Sequence, residues 1–216
     1  MKYLLLFTLF VSFKSNAQIE VGSSFGGVKL TSITKDVNVL SSVQSGLYVS
    51  KDFSLGPTFS LNTQVNINTS TLICDGIFYA ENPKRFGITP ANSKQSKMEF
   101  TTIRVPIYIQ ALLEGYKETG KYSTISIGPT VEFVLAAKQQ AKINGNTVKE
   151  NASIDRKINL GIGMEMGMYK KISKNKLFKF GYGINYNLTD YLKQNKSFKP
   201  LSLIFKIGIA FNKVKK

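Results

Sequence analysis

Apolar and polar residues alternate along much of this chain. In the stretch FSLGPTFSLNTQVN, residues 53–66, the odd positions are mainly Phe, Leu and Val, and the even positions are Ser, Gly, Thr, Asn and Gln. Such alternation indicates β-strands whose two faces meet different environments. The same pattern recurs in later segments and predicts eight strands, at about 18–30, 42–51, 53–68, 99–113, 122–137, 154–170, 177–189 and 198–211.

The segments between these strands alternate in length. Short connections are predicted near 51–52, 114–121 and 171–176, and longer loops at about 31–41, 69–98, 138–153 and 190–197. Short turns at one end and long loops at the other are typical of membrane barrels. The sequence therefore predicts an all-β fold, an eight-stranded antiparallel up-and-down transmembrane β-barrel.

The composition of the two strand faces predicts which face points outward. The apolar faces carry Leu, Ile, Met and Phe, while the polar faces carry Gly, Ser, Thr and Asn and lack the dense Lys and Glu of a solvated surface. A closed barrel pairs all of its backbone groups, as lipid requires. We therefore expect apolar side chains outside and polar ones inside. A soluble calycin-like carrier of an apolar ligand is an alternative, and it needs the opposite orientation.

The N-terminus has the features of an export signal. The opening MKYLLLFTLFVSFKSNAQ contains a lysine, an apolar run of about 11 residues and then small residues, which is the order found in signal peptides. The run is shorter than the ~20 residues that cross a bilayer as a helix. We expect residues 1–17 to be a cleaved signal peptide and residues 18–216 to form a barrel in the outer membrane of a Gram-negative cell.

The chain is strongly basic. Its formal net charge is +16, or +14 without Lys2 and Lys14 of the expected signal peptide. Because the basic residues are scattered among turns and form no stripe on one face, we expect no nucleic-acid partner. Outer-membrane lipid is the expected partner, since basic residues are attracted to anionic membrane surfaces. The single cysteine, Cys74, excludes an internal disulfide.

The chain contains no histidine. This removes the usual general base for a serine or cysteine nucleophile and the commonest ligand for transition metals. We therefore assign no catalytic, cofactor-binding or metal-ligating residues and expect a protein that is not an enzyme.

Charged residues on the predicted inward faces form the candidate site. They are Arg104, Glu132, Lys157, Glu165 and Lys206. Opposite charges in a narrow interior would pair, because an unpaired buried charge is costly. Eight strands leave room for little more than side chains, which favours a plug held by ion pairs. A gated pore or a proton path is the alternative.

Aromatic residues near the predicted strand ends are expected to form two girdles in the headgroup regions. They are Phe53, Tyr116, Tyr122, Tyr169, Phe178 and Phe211 near the short turns, and Phe78, Tyr79, Phe100, Tyr191 and Phe198 near the long loops.

Three segments carry a resemblance to a known family. The fourth predicted strand reads TTIRVPIYIQALL, the fifth reads YSTISIGPTVEFVLAAK, and the last contains LSLIFKIGIAF. Together with the signal that ends in NAQ, they resemble the PorT-like outer membrane β-barrel family of Bacteroidota. The resemblance implies an outer-membrane barrel, and the namesake of the family is linked to protein secretion.

The expected function is that of a non-enzymatic outer-membrane barrel with a plugged polar lumen. It would act through loops or turns as an envelope or secretion-associated component, and the predicted loop 69–98 is the longest of these. A small ion or solute channel is the alternative. The partner and the oligomeric state stay open at this point.

Overall fold

The computed structural model describes residues 17–30, 38–75, 93–116, 121–143, 146–151, 157–189 and 199–211. Residues 1–16, nearly all of the expected signal peptide, lie outside the described residues, as does the predicted loop 190–197. Within the described ranges no helix is long and apolar enough to cross a membrane.

Nine antiparallel strands make up the described fold. They are β1 Ala17–Leu30, β2 Asn38–Ser54, β3 Phe59–Asp75, β4 Ser93–Tyr116, β5 Lys121–Ile143, β6 Asn146–Asn151, β7 Ile158–Ser173, β8 Lys176–Asn187 and β9 Pro200–Phe211. Eight of them close into a barrel in which neighbours along the chain pair and β1 also pairs with β9. β6 pairs with β5 where β5 extends past β7. The predicted eight-stranded up-and-down barrel is confirmed.

The orientation of the strand faces follows the prediction. Leu160 and Ile127 are 51% and 53% exposed on the outer surface, whereas Asn159 and Thr130 beside them are 0% and 1% exposed. Apolar side chains therefore cover the outside and polar ones fill the inside. The soluble-carrier alternative requires the reverse and is wrong for this fold.

The turn between β2 and β3 lies inside the alternating stretch 53–66. Phe53 pairs with Leu61 and Ser54 with Ser60, so residues 55–58 form the connection. The predicted turn at 51–52 is wrong, and Lys51 and Asp52 belong to β2. Because the paired residues are both odd or both even, the alternation passes through the turn without a break.

Two predicted loops are shorter than the sequence suggested. β3 continues to Asp75 and β4 begins at Ser93, so only residues 76–92 of the predicted loop 69–98 lie outside the described strands. β5 continues to Ile143, and residues 146–151 of the predicted loop 138–153 form β6. β2, β3, β4 and β5, of 17 to 24 residues, are therefore longer than the other described strands.

Pro106 and Pro129 lie within β4 and β5 and interrupt the ladder. Pairing between β4 and β5 is missing between the Pro106–Thr130 and Ile109–Ile127 pairs, yet the register is the same on both sides. Proline has no N–H to donate. The two prolines thus interrupt the β4–β5 pairing near the middle of the barrel wall without producing a bulge there.

Candidate functional site in the barrel interior

An aromatic floor closes the interior at the short-turn end. The rings of Tyr122 and Tyr169 stack at 4.6 Å with an interplanar angle of 14°, and they pack with the buried Leu177 and Ala210. The Tyr169 hydroxyl donates to Glu20 Oε2 at 3.1 Å. Both tyrosines were expected in the outer girdle, and this expectation is wrong because their positions in β5 and β7 belong to the inward face.

A network of charged side chains fills the interior above this floor. Lys179 Nζ lies 2.7 Å from Glu165 Oε1 and 2.9 Å from Glu20 Oε1. Lys206 forms an ion pair with the other oxygen of Glu165. The four residues come from β8, β7, β1 and β9, so the network joins both ends of the chain across the interior.

Polar and aromatic side chains complete this network from the opposite wall. Gln64 of β3 accepts a hydrogen bond from Lys206 Nζ at 2.5 Å and donates to Glu165 at 3.3 Å. The ammonium groups of Lys206 and Lys179 lie 4.9 Å and 5.7 Å from the Tyr48 ring centre, within range of cation–π attraction. The Tyr48 hydroxyl lies over Gly208, where a Cβ would overlap it.

A second ion pair lies nearer the long loops. Arg104 Nη2 and Nε donate to Glu132 Oε2 at 2.6 and 2.9 Å, and the two residues are partners across β4 and β5. Asn187 donates to the other Glu132 oxygen at 3.0 Å, and Arg104 also donates to Ser202 at 3.4 Å. This pair thus links β4 and β5 to β8 and β9.

An apolar layer lies beyond the second ion pair. Its buried members are Val28, Leu72, Met98, Phe100 and Val134. Phe100 was expected in the outer girdle, and this expectation is wrong because its side chain faces inward. The charged middle of the interior is therefore bounded by apolar side chains at both ends.

Cavities within the interior are small. One of about 20 Å³ lies between the two charged groups and is lined by Asn68, Asn185, Arg104 and Lys206 among others. Another of about 10 Å³ lies beside Phe100 and Arg104. A cavity needs roughly 10–15 Å³ to hold one water molecule. Each of these two cavities is therefore large enough for only about one water molecule.

In the described part of the chain, three buried cations and three of the four buried carboxylates lie in the two charged groups, and the fourth carboxylate is Asp52. Arg104, Lys179 and Lys206 face Glu20, Glu132 and Glu165, and each of the six is at most 5% exposed. Asp52 accepts a hydrogen bond from Asn62 near the floor. A buried ion is tolerated when it is paired and hydrogen-bonded, as these six groups are. The described residues include no group of three or more Cys, Asp or Glu that could hold a metal ion.

The structure brings four of the five sequence-predicted residues into the interior: Arg104, Glu132, Glu165 and Lys206. Lys157 is exposed and precedes β7, where its carbonyl oxygen accepts from Val134 N at 2.8 Å. Its predicted inward position is therefore wrong. Sequence reasoning missed Lys179 and Glu20, although both occupy inward positions of their strands.

Comparisons with known proteins find similarity in the fold and none in the sequence. The sequence matches no known family profile and none of the curated protein sequences. Among solved structures, the outer membrane protein OprG from Pseudomonas aeruginosa is similar, with 8% identity, a TM-score of 0.57, and 94% of this chain and 98% of that chain covered.

Two further solved structures are more distant. Neisserial surface protein A has 9% identity and a TM-score of 0.46, with 92% of this chain and 98% of that chain covered. Ail of Yersinia pestis has 9% identity and a TM-score of 0.42, with 92% and 100% covered. At such identities the likeness to OprG establishes the fold and no activity.

Proposed function

We propose that the chain is a non-enzymatic outer-membrane β-barrel whose interior is plugged by its own side chains. The observation that carries this proposal is the cross-lumen network of Glu165, Lys206, Lys179, Glu20 and Gln64, closed below by Tyr122 and Tyr169. An interior of this kind stabilises the barrel and leaves no continuous water path through the described residues.

The height of the apolar surface supports a membrane location. Outward positions of β4 are apolar from Ile103 to Leu113, and the exposed ion pair of Lys97 with Glu99 lies just beyond them. These residues span roughly 33 Å along a strand at about 3.3 Å per residue. With a strand tilt of about 40° this covers about 25 Å, the height of the apolar band in outer-membrane barrels.

We propose that the barrel has a structural role in the envelope or recruits a partner protein. The resemblance to PorT-like barrels suggests an envelope or secretion-associated component that contacts its partner through loops or turns. Residues 76–92 and the long-loop ends of β3, β4 and β5 would present the contact surface. Rigid scaffolds commonly carry binding functions on such loops.

Conductance measurements test the plug. Gel migration that changes with heating first confirms that the barrel is folded. After reconstitution into planar bilayers, the protein should show no stable openings. A matched variant with Glu20→Gln, Glu165→Gln, Lys206→Met and Lys179→Met removes the central charges while retaining similar side-chain volume, and it should also stay closed because packing remains. Stable, ion-selective openings of the unaltered protein would support the small-channel alternative and overturn the plug.

A further inference from the structure

Five lysines form one exposed group at the short-turn end, the short-turn lysine patch. They are Lys121 of β5, Lys170 and Lys171 of β7, Lys174 of the turn and Lys176 of β8, and all are exposed. Lys121 and Lys170 are directly paired across β5 and β7. Strand parity places Lys121, Lys170 and Lys176 on the outer surface, in line with the lipid-facing residues of the same strands.

This pairing is unfavourable unless a negative charge lies nearby. Like charges directly opposite each other on neighbouring strands destabilise a sheet. Among the described residues no ion pair involves a lysine of the patch. Among the residues that the structure describes, the nearest acidic residue in the register is Glu114, which pairs with Ser123 two positions from Lys121. The patch therefore has a surplus of positive charge.

The patch continues directly from the apolar surface. Lys170 pairs with Phe178, and the next outward pair along the same strands is Met168 with Phe180. All three apolar side chains are exposed, at 40%, 52% and 36% for Phe178, Met168 and Phe180. In a membrane-embedded barrel this places the ammonium groups at the edge of the hydrocarbon, where the phosphates of the lipid headgroups lie.

We propose that the short-turn lysine patch binds the phosphates of anionic phospholipids in the leaflet that faces the short turns. This rests on the proposed membrane location. A phosphate between Lys121 and Lys170 turns their mutual repulsion into shared attraction, and its acyl chains lie against Phe178 and Met168. The patch thus selects anionic over zwitterionic lipids along β5, β7 and β8.

A tryptophan reporter tests the proposal, because the chain has no other tryptophan. The full chain with Phe178→Trp is reconstituted into vesicles of zwitterionic phosphatidylcholine that contain a minority of phosphatidylglycerol. Brominated acyl chains, which quench tryptophan fluorescence, are carried by one lipid or the other in parallel samples. The ratio of the two quenching efficiencies, corrected for mole fraction, gives the local preference for the anionic lipid.

The expected preference is at least about fivefold, which corresponds to the ~1 kcal/mol that one lysine contributes near an anionic surface. It should fall to about one when Lys121→Gln, Lys170→Gln and Lys176→Gln are combined, and it should weaken with added salt. The matched control combines Lys29→Gln, Lys149→Gln and Lys157→Gln, which are exposed at the other end, and should keep the preference.

Each other outcome has a distinct meaning. Equal quenching by both lipids in the unaltered patch, or a preference that survives the triple substitution at 121, 170 and 176, would overturn the proposal and leave these lysines as general solubilising charge. Quenching by neither lipid would instead contradict the membrane location itself.

Discussion

At the scale of single residues, burial separates ion pairs that matter from those that do not. Arg104 and Glu132 are 5% and 1% exposed and hold each other through two hydrogen bonds. The pair of Lys97 and Glu99 is also short, at 2.6 Å, but its side chains are 42% and 32% exposed. Water screens the attraction between Lys97 and Glu99, so this pair contributes little to stability. Arg104 and Glu132 are shielded from water, so each needs the other to compensate its buried charge.

Arg104→Met should therefore lower the free energy of unfolding by about 3–5 kcal/mol, because Glu132 would be left as an uncompensated buried charge. The matched change Lys97→Met should cost only about 0–1 kcal/mol. Adding Glu132→Gln to Arg104→Met should recover part of the loss. Urea titration of the folded barrel in detergent measures all three, and equal costs for the two single changes would contradict the assignment.

Residue-level predictions from the sequence succeeded where strand parity was firm. Arg104, Glu132, Glu165 and Lys206 lie in the interior of long alternating strands, and their inward placement could be read directly. The prediction for Lys157 failed because β7 begins at Ile158, the residue after it. The alternation of inward and outward side chains along the strand therefore does not include Lys157. The partners of each charge depend on the register across the barrel, which no local pattern reveals.

At the scale of the element, β7 shows how strictly a strand separates its two faces. From Ile158 to Lys170 every inward residue is buried, whereas the outward residues are exposed apart from the half-buried Met166. Met164 lies near the middle of this strand and Ile158 at its long-loop end, and they are 40% and 58% exposed. The two positions share a face and differ in depth.

Met164→Arg should destabilise the barrel in lipid by about 2–4 kcal/mol, whereas Ile158→Arg should cost about 0–1 kcal/mol, because the cost of a lipid-facing charge falls from midplane to interface. Reversible urea unfolding in lipid vesicles gives both values. If the two variants lost the same stability, the outer face of β7 would not cross a bilayer at the proposed depth.

Element boundaries were harder to predict than element faces. The alternation of residues 53–66 continued through a real turn, because the hairpin pairs residues of equal parity. The extensions of β3, β4 and β5 beyond the apolar band carry Lys, Gln and Thr, which read as loop residues in the sequence. Hydrogen bonds to neighbouring strands hold them in the sheet despite that composition.

At the scale of the whole molecule, the connections between strands differ in length and in how closely they follow the last paired residues. β3 and β4 stay paired as far as Cys74 with Ser96 and Asp75 with Gln95, next to the connection 76–92. β2 and β3 are paired up to Ser54 with Ser60. Only residues 55–58 connect Ser54, the last residue of β2, to Phe59, the first residue of β3. We therefore expect strand pairing to survive loss of most of the first connection, whereas the second has only four residues to lose.

Deleting residues 77–91 should leave folding intact, seen as the same heat-modifiable gel migration and nearly the same urea midpoint. Deleting residues 55–58 is the control and should lower the urea midpoint more, because the Ser54–Ser60 pair is lost and the hairpin must close through the Phe53–Leu61 pair over three residues. Loss of folding in the first variant would mean that the long connection is part of the barrel's core rather than a surface available to partners.

The link between Glu20 and Lys179 has a consequence for the order of assembly. Glu20 enters with the first strand, whereas Lys179 and Lys206 enter with the last two, and β1 meets β9 only when the cylinder shuts. Until that moment Glu20 and Lys179 cannot pair with each other, although the other interior ion pairs join strands on one side of the seam. The pairing of Glu20 with Lys179 therefore requires closure of the barrel and joins the two ends of the chain.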